Sequence, residues 1–248
     1  MSKEYPRARG AFADPFSDKD FRYKLAGATI FDLPDLIDNR EYCTEVGDQQ
    51  TEGTCVGWTI KKAVEMLLWR ENGQKLDLSA RWAYEKAKEH DAFPGTKYNG
   101  TSLRGGLDAL IKEGICREQK WPYEEWAPGV PQPLAHKDAK KRKDFEFNRI
   151  FVHNHVRHAI HKHGQVLVTG AVHTGWKTPK DDVIQWNKNY NADDYHAYLL
   201  VGYDNNKGLY LVDNHWSVEW GDCGFAWMKF DDFIANRVDI WSLELKGG

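Results

Sequence analysis

The sequence predicts an α+β fold in which a helical part comes first and a sheet or barrel part follows. Apolar residues recur at helical spacing in the first half of the chain, beginning at Ile60. Short strand-like runs separated by Gly, Asn and Asp fill the second half. The 248 residues suffice for one large domain or for two lobes that share a cleft. A group of helices followed by a group of strands is typical of α+β proteins.

Residues 1–30 precede this pattern and differ from it in composition. They are polar and aromatic with scattered Pro and Gly, which predicts an arm rather than a core element. The folded domain is therefore expected to begin after these residues.

Three helices are expected in a helical lobe of about residues 48–125. The first begins near Cys55 and stops before Gly73. The second fits "LSARWAYEKAKEH", with Ser79 as its cap, and the third fits "SLRGGLDALIKEG", with Gly114 as its stop. The apolar positions that define one face of the first helix are Ile60, Ala63, Val64, Leu67 and Leu68.

A surface crossover is expected over residues 121–145, which hold four prolines and the basic run "HKDAKKRKD". A short helix near 155–163 follows. The β lobe is expected over about residues 145–245. Its strand-like runs are "QVLVTGAV", "HAYLLVGYD", "GLYLVDN", "GFAWMKF" and "DIWSLEL".

Composition excludes several classes of protein. Hydrophobic residues make up 41% of the chain and charged residues 29%, which is typical of a globular domain. The net charge of −3 argues against a nucleic-acid partner. No apolar run approaches the roughly 20 residues of a membrane span, and the N-terminus lacks an apolar signal-peptide core. We therefore expect a cytoplasmic protein, or one exported without such a signal.

Cys55 stands in the segment "GDQQTEGTCVGWT", where the first helix begins. The positive end of a helix dipole favours a thiolate, and the N–H groups at a helix start can donate to a developing oxyanion. Cys55 is therefore a candidate nucleophile. The alternative reading is a small buried hydrophobic residue, which is the usual environment of a free cysteine.

A cysteine nucleophile needs a base. His196 begins the apolar run "HAYLLVGYD", where it could be held rigidly or could simply pack or cap. The run "LVDNHWSVEWGDCGF" supplies Asn214, an amide that could orient the imidazole, and Trp216, which could exclude water from it.

Taken together, these residues resemble the papain family of cysteine peptidases. Gln49 stands six residues before Cys55, as in that family, and the histidine and the amide follow Cys55 by 141 and 159 residues. The family's loop and turn motifs are matched by "KYNGTSLRGGLDALIKEGICREQKWPY" and by the run that begins at Asn214. The stretch "FDLPDLIDNREYCTEVGDQQ" resembles the start of a mature bacterial member. The resemblance covers about residues 31–245.

The resemblance implies a two-lobed fold with the active site in the cleft between a helical lobe and an antiparallel, barrel-like β lobe. It implies a thiol protease without a cofactor or a metal, which hydrolyses peptide bonds through an acyl-enzyme. Cys55 would be the nucleophile, His196 the base and Asn214 its orienting partner. Gln49 and the Cys55 N–H would form the oxyanion hole. The candidate substrate-binding residues are Gly100, Thr101, Trp216 and Tyr195.

The chain also departs from the family pattern. Glu52 stands where many members have a cysteine in a disulfide, so that disulfide is not expected. Val56 replaces the Trp that usually follows the nucleophile, and Thr101 replaces the second loop Gly. His215 and Ser217 replace smaller residues after the amide. These changes bear on substrate preference and turnover more than on mechanism. The sequence does not say whether Cys43 and Cys116 lie close together.

Other functions stay open. An acyl transferase or a deamidase uses the same triad, and a non-catalytic relative could bind peptides or metal. The segment "HNHVRHAIHKHGQ" could place two or three imidazoles on one helix face, although a solvated helix is the simpler reading. Its histidines are His153, His155, His158, His161 and His163.

The N-terminal arm has two readings. The family is usually made with a longer pro-region that blocks the cleft, and residues 1–30 could act as a short pro-segment docked in the cleft. They could equally pack on the back of a lobe. The arm side chains suited to either role are Tyr5, Pro6, Phe12, Pro15, Phe16, Phe21 and Tyr23.

Overall fold

The computed structural model describes residues 9–17, 20–24, 33–186 and 190–247. Tyr5 and Pro6 of the arm lie outside the described residues. The helices are α1 (Cys55–Asn72), α2 (Ala80–His90), α3 (Leu103–Glu113), α4 (Ala135–Ala139), α5 (His153–His163) and α6 (Phe230–Asn236). The strands are β1 (Ala11–Phe12), β2 (Leu36–Asp38), β3 (Thr101–Ser102), β4 (Phe145–Arg149), β5 (Val166–His173), β6 (Tyr190–Asp204), β7 (Leu209–Asp213), β8 (Phe225–Lys229) and β9 (Arg237–Leu245).

The three expected helices of the first lobe are present. Gly73 ends α1 in a left-handed conformation, with φ of 66°. Ser79 caps α2 by accepting the N–H of Trp82 at 2.9 Å, and Gly114 follows the last residue of α3. The helix caps therefore form at the residues that were predicted from the sequence.

Helix α1 differs from the expectation of a single apolar face. Every residue from Cys55 to Leu68 is buried, because α1 lies between the other two helices of its lobe and the β-sheet. A helix enclosed on all sides must pair its charged residues. Lys61 accordingly contacts Glu65 at 2.5 Å, and Lys62 contacts Asp213 of β7.

A seven-stranded antiparallel sheet forms the second lobe. Its strand order is β4-β9-β5-β6-β7-β8, and β2 pairs with β6. Alternate residues of β5 serve two cores. Leu167 packs in the core shared with α1, whereas Val166 and Val168 pack in a second core with α5. Burial of both faces explains why the strand runs are almost continuously apolar.

The crossover between the lobes is more structured than its composition indicates. It contains α4, whose residues Ala135 and Ala139 are fully buried, and it is preceded by a 3-10 turn at Glu118–Lys120. The short strands β1 to β3 and helix α6 were also not predicted. None of the described helices combines the length and the apolar character that a membrane span requires.

The arm contacts both lobes. Strand β1 pairs in parallel with β3, so that Ala11 lies opposite Thr101 and Phe12 opposite Ser102. Further along, the carbonyl of Phe21 accepts the N–H of Arg149 at 2.8 Å. The Tyr23 hydroxyl lies 2.8 Å from Nδ1 of His158, beside α5. The described part of the arm therefore runs along the edge of β3 and continues onto the sheet lobe.

Candidate active site

Cys55 is the first residue of α1, and residues 47–54 form the turn that leads into it. Its side chain is fully buried. The N–H groups of Cys55 itself and of Val56 act to lower the pKa of the thiol, as expected at the start of a helix. The structure thus places Cys55 where the sequence predicted it.

His196 and Asn214 come together because β6 and β7 are neighbours in the sheet. Leu199 of β6 lies opposite Asp213 of β7, and Asn214 is the next residue after that strand. Nε2 of His196 lies 2.9 Å from Oδ1 of Asn214. The same oxygen accepts the N–H of His215 at 2.9 Å. An oxygen that accepts a hydrogen bond from Nε2–H leaves the lone pair of the neutral imidazole on Nδ1.

The Cys55 sulfur lies beside the backbone N–H of Ala197, the residue after His196. The first lobe supplies the thiol and the second supplies the imidazole, and both side chains are fully buried. Among the described residues, Nδ1 of His196 has no hydrogen-bond partner. The arrangement leaves that nitrogen able to exchange a proton with a group in the cleft.

Aromatic rings enclose the His196–Asn214 pair. The ring centroid of Trp216 lies 4.7 Å from that of His196, and the ring of Trp176 lies 6.1 Å away, edge to face. Trp216 is only 3% exposed. These rings exclude water from the hydrogen bond, which keeps the imidazole plane fixed.

Gln49 is fully buried, whereas its neighbour Gln50 is exposed. Nε2 of Gln49 donates to the carbonyl of Glu52 at 3.0 Å. The Gln49 N–H donates to the carbonyl of His215 at 3.1 Å, which ties the turn to the second lobe. Of the doubled glutamines, it is therefore the first that is buried and bonded to the second lobe.

The candidate substrate-binding residues occupy different places. The Gly100 N–H donates to the Tyr84 hydroxyl at 2.9 Å. Thr101 lies in β3, and its N–H donates to the carbonyl of Gly10 at 2.8 Å. Tyr195 precedes His196 on β6 and packs, partly buried, against the core shared with α1. The edge of β3 is therefore already bonded to the arm.

Burial determines the charge of the thiol in this arrangement. It raises the pKa of the Cys55 thiol to about 11, although the N–H groups of Ala197, Gly10 and Val56 act to lower it. Burial therefore favours the neutral thiol over the thiolate in this structure. The helix start favours the anion, but loss of hydration outweighs that effect.

The imidazole is neutral for the same reason. Burial lowers the pKa of His196 to about 3, while the hydrogen bond to Asn214 acts to raise it and the charge of Arg9 acts to lower it further. Burial thus favours the neutral thiol and the neutral imidazole over an ion pair between them.

The remaining cysteines and histidines lie elsewhere. All four cysteines are free. The Cys43 thiol lies 3.6 Å from the carbonyl of Asn39, whereas Cys116 lies next to Ser79 and Asp138. Within the described ranges no three metal-binding side chains come together. Several α5 histidines contact tyrosines instead, as in the 3.0 Å contact between His153 and the Tyr210 hydroxyl.

Sequence reasoning missed a second buried imidazole and a buried ion pair. The His215 ring stacks on Trp58 at 6.5 Å and lies 4.9 Å from the His196 ring. Lys62 bonds to the Asp213 carboxylate and, at 2.9 Å, to the carbonyl of Asn214. The one available signal was a lysine inside an apolar helix, since a buried lysine needs an anion.

Comparisons with known proteins identify the family of this chain. Residues 33–240 match the sequence profile of the papain family cysteine proteases. The chain is 24% identical over 237 residues to an uncharacterised peptidase C1-like protein of Acanthamoeba polyphaga mimivirus, covering 87% of this chain and 74% of that protein. It is 26% identical over 205 residues to cathepsin K of Mus musculus, covering 78% of this chain and 59% of that protein.

Solved structures share the fold. The crystal structure of xylellain, a cysteine protease from Xylella fastidiosa, superimposes with a TM-score of 0.84 at 22% identity and covers 99% of each chain. Digestive procathepsin L 3 of Tenebrio molitor larval midgut gives a TM-score of 0.76 at 20% identity, over 97% of this chain and 77% of that one. These likenesses confirm the predicted α+β, two-lobed fold.

The Lys62–Asp213 pair generates a prediction about stability. Lys62→Met should destabilise the protein by about 3 to 5 kcal/mol, because it leaves a buried carboxylate without its cation. Burial already raises the pKa of Asp213, while the charge of Lys62 acts to lower it. Thermal or urea unfolding measures the loss. The double variant Lys62→Met/Asp213→Asn should recover part of it, and equal stabilities of the single variant and the parent would contradict this account.

Proposed function

The chain belongs to the papain family of cysteine proteases, and on that premise we propose that it hydrolyses peptide bonds with Cys55 as nucleophile, His196 as acid and base, and Asn214 as the residue that orients His196. The observation that best supports this assignment is the 2.9 Å contact between Nε2 of His196 and Oδ1 of Asn214. It leaves Nδ1 as the nitrogen for proton transfer, in a site where the backbone next to His196 touches the Cys55 sulfur.

The reaction proceeds in two halves. The Cys55 thiol gives its proton to His196, and its sulfur attacks the peptide carbonyl carbon. The Gln49 amide and the Cys55 N–H stabilise the negative charge that forms on the oxygen. The C–N bond breaks, the amine leaves with the proton from His196, and a thioester remains. Water then attacks the thioester and gives a proton to His196. The C–S bond breaks to release the acid, and His196 returns the proton to the sulfur, which restores the thiol.

Peptide substrate would lie along the edge of β3, with its backbone at Gly100 and Thr101. The N–H of Thr101 is the donor suited to a substrate carbonyl, and in this structure it donates to Gly10. Tyr195 and Trp216 flank His196 on the other side of the cleft. Substrate and arm would thus compete for the same edge.

We further propose that the N-terminal arm is a plug that keeps the site closed. Gly10 lies against the turn before Cys55 so closely that a Cβ atom on Gly10 would lie 2.2 Å from the carbonyl oxygen of Gly53. The Phe12 ring packs 4.9 Å from the Phe93 ring, which anchors the segment beyond the cleft. A tethered segment has a high effective concentration, so even weak contacts keep it bound.

The tight contact at Gly10 provides a point variant that displaces the arm without deleting it. Gly10→Val should force residues 10–12 away from Gly53, hydrate the cleft, and raise both peptide cleavage and the labelling of Cys55 by iodoacetamide. Phe16→Ala is the matched control, since Phe16 is 70% exposed. Equal labelling of the Gly10→Val and parent chains, with equal cleavage rates, would contradict the plug.

The pH dependence of labelling tests the same proposal. With a thiol pKa of about 11, the parent contains a thiolate fraction of about 10⁻⁴ at pH 7, and its labelling rate should rise about tenfold per pH unit up to pH 10. In the Gly10→Val chain, pairing with the imidazolium should hold the thiol pKa below neutrality, so the rate should change little above pH 7. Parallel pH profiles for the two chains would refute this proposal.

The oxyanion hole gives the direct test of the reaction. In the Gly10→Val chain, Gln49→Ala should lower kcat for fluorogenic peptides by roughly 10² to 10³, the usual cost of one donor. Gln50→Ala should leave kcat unchanged, because Gln50 is exposed. Mass spectrometry of the products distinguishes hydrolysis from transfer to an added amine. If Gln50→Ala lowered kcat and Gln49→Ala did not, the assignment of Gln49 as an oxyanion donor would be wrong.

A further inference from the structure

A buried ion pair lies beneath the turn that carries Gln49. Arg81 of α2 is fully buried, and its two terminal nitrogens contact the two carboxylate oxygens of Glu52 at 2.7 and 2.6 Å. Glu52 itself is 5% exposed. This two-pronged geometry fixes the direction of the carboxylate as well as its distance, which a single-point contact does not.

The backbone of Glu52 holds the Gln49 side chain. The Glu52 carbonyl accepts one N–H of the Gln49 amide at 3.0 Å and the N–H of Thr54 at 2.8 Å. A planar amide held through one N–H has its other N–H direction set as well. The side chain of Glu52 binds Arg81 while its carbonyl orients Gln49, so the same residue connects α2 to the candidate oxyanion donor.

Arg81 reaches the turn by a second route. Its guanidinium carbon lies 4.8 Å from the centroid of the Tyr123 ring. The Tyr123 hydroxyl donates to the carbonyl of Gln49 at 2.9 Å and lies 3.0 Å from the Thr54 hydroxyl. Arg81 therefore contacts two residues, Glu52 and Tyr123, that hold the turn before Cys55 in place.

We propose that the Glu52–Arg81 pair positions the oxyanion hole, acting through the Glu52 carbonyl on the Gln49 amide. This inference rests on the proposed function, because it takes Gln49 as an oxyanion donor. The two ions are positioning residues, since neither touches the reacting atoms. A displacement of about 1 Å at such a donor can cost a factor of about 10² in rate, so a rigid support has a measurable effect.

The pair is a costly way to build a stable turn, which supports a positioning role. Two ions removed from water are often no more stabilising than apolar side chains of the same size. The advantage of the ion pair is that it fixes the orientation of the Glu52 carboxylate. A further hydrogen bond to this carboxylate depends on that orientation. Oε2 of Glu52 also accepts the N–H of Trp126 at 2.9 Å.

The test compares three variants in the full-length Gly10→Val chain, so that the arm does not limit access. Glu52→Gln keeps the shape of the side chain and removes its charge. It should lower kcat about 10-fold or more, with KM changed less than about twofold. Arg81→Lys keeps the positive charge and removes the two-point contact with the Glu52 carboxylate. It should also lower kcat. Glu85→Gln is the control, because Glu85 contacts Arg81 at 3.1 Å but belongs to α2.

Labelling of Cys55 by iodoacetamide separates positioning from general damage. Alkylation forms no oxyanion. Cys55 in the Glu52→Gln variant should therefore be labelled at the rate of the Gly10→Val chain, while the kcat of the variant falls. A variant whose labelling and kcat fall together would contradict the proposal. If Glu52→Gln does not fold, Arg81→Lys supplies the same comparison.

A double-mutant cycle with Gln49→Ala decides which part of the account fails. If the pair acts through Gln49, the double variant Glu52→Gln/Gln49→Ala should have the kcat of Gln49→Ala alone. A normal kcat in Glu52→Gln beside a reduced kcat in Gln49→Ala would overturn this inference and leave the proposed function intact. A normal kcat in Gln49→Ala would overturn the oxyanion assignment itself.

Discussion

The buried contact between Lys62 and the end of β7 is the interaction on which the rest of the site depends. Lys62 lies on the helix that begins with Cys55, and its ammonium group binds both the Asp213 carboxylate and the carbonyl of Asn214. The Lys62 side chain therefore joins the helix that begins with Cys55 to the end of the strand that precedes Asn214. Because the pair is buried between the two lobes, it also makes their separation costly, since either ion alone would be left without its partner.

Exclusion of water is the second constraint on the site. It holds the His196–Asn214 hydrogen bond in place, and it disfavours the charged forms of Cys55 and His196. The aromatic cover over His196 keeps its hydrogen bond to Asn214 short and its ring plane fixed. The same exclusion of water favours the neutral thiol and the neutral imidazole, because burial raises the pKa of Cys55 and lowers the pKa of His196. Under the plug proposed above, the geometry of the site would be built while the nucleophile stays protonated.

The sequence predicted the parts of this structure that are encoded locally. Caps such as Ser79 and Gly73, and the apolar runs of the strands, depend on neighbouring residues only. Gln49 and Cys55 likewise lie close together in sequence, on the turn that leads into α1. The missed features all depend on contacts distant in sequence. Arg81 and Glu52 are 29 residues apart, and two-residue strands such as β1 have no periodicity of their own, so neither could be read from a pattern. The pKa of the Cys55 thiol likewise depends on burial and on distant contacts such as the one with the N–H of Ala197.

The central claim is that Cys55 forms a covalent acyl intermediate once the cleft is open. Rapid mixing of the Gly10→Val chain with an activated peptide ester, acid quenching within the first turnover, and peptide mapping by mass spectrometry test it most directly. The account predicts a burst of close to one acyl group per chain, located on the peptide that contains Cys55 and absent from Cys55→Ala. An acyl group found on Cys43, Cys116 or Cys223, or product formation in Cys55→Ala at the parent rate, would contradict it.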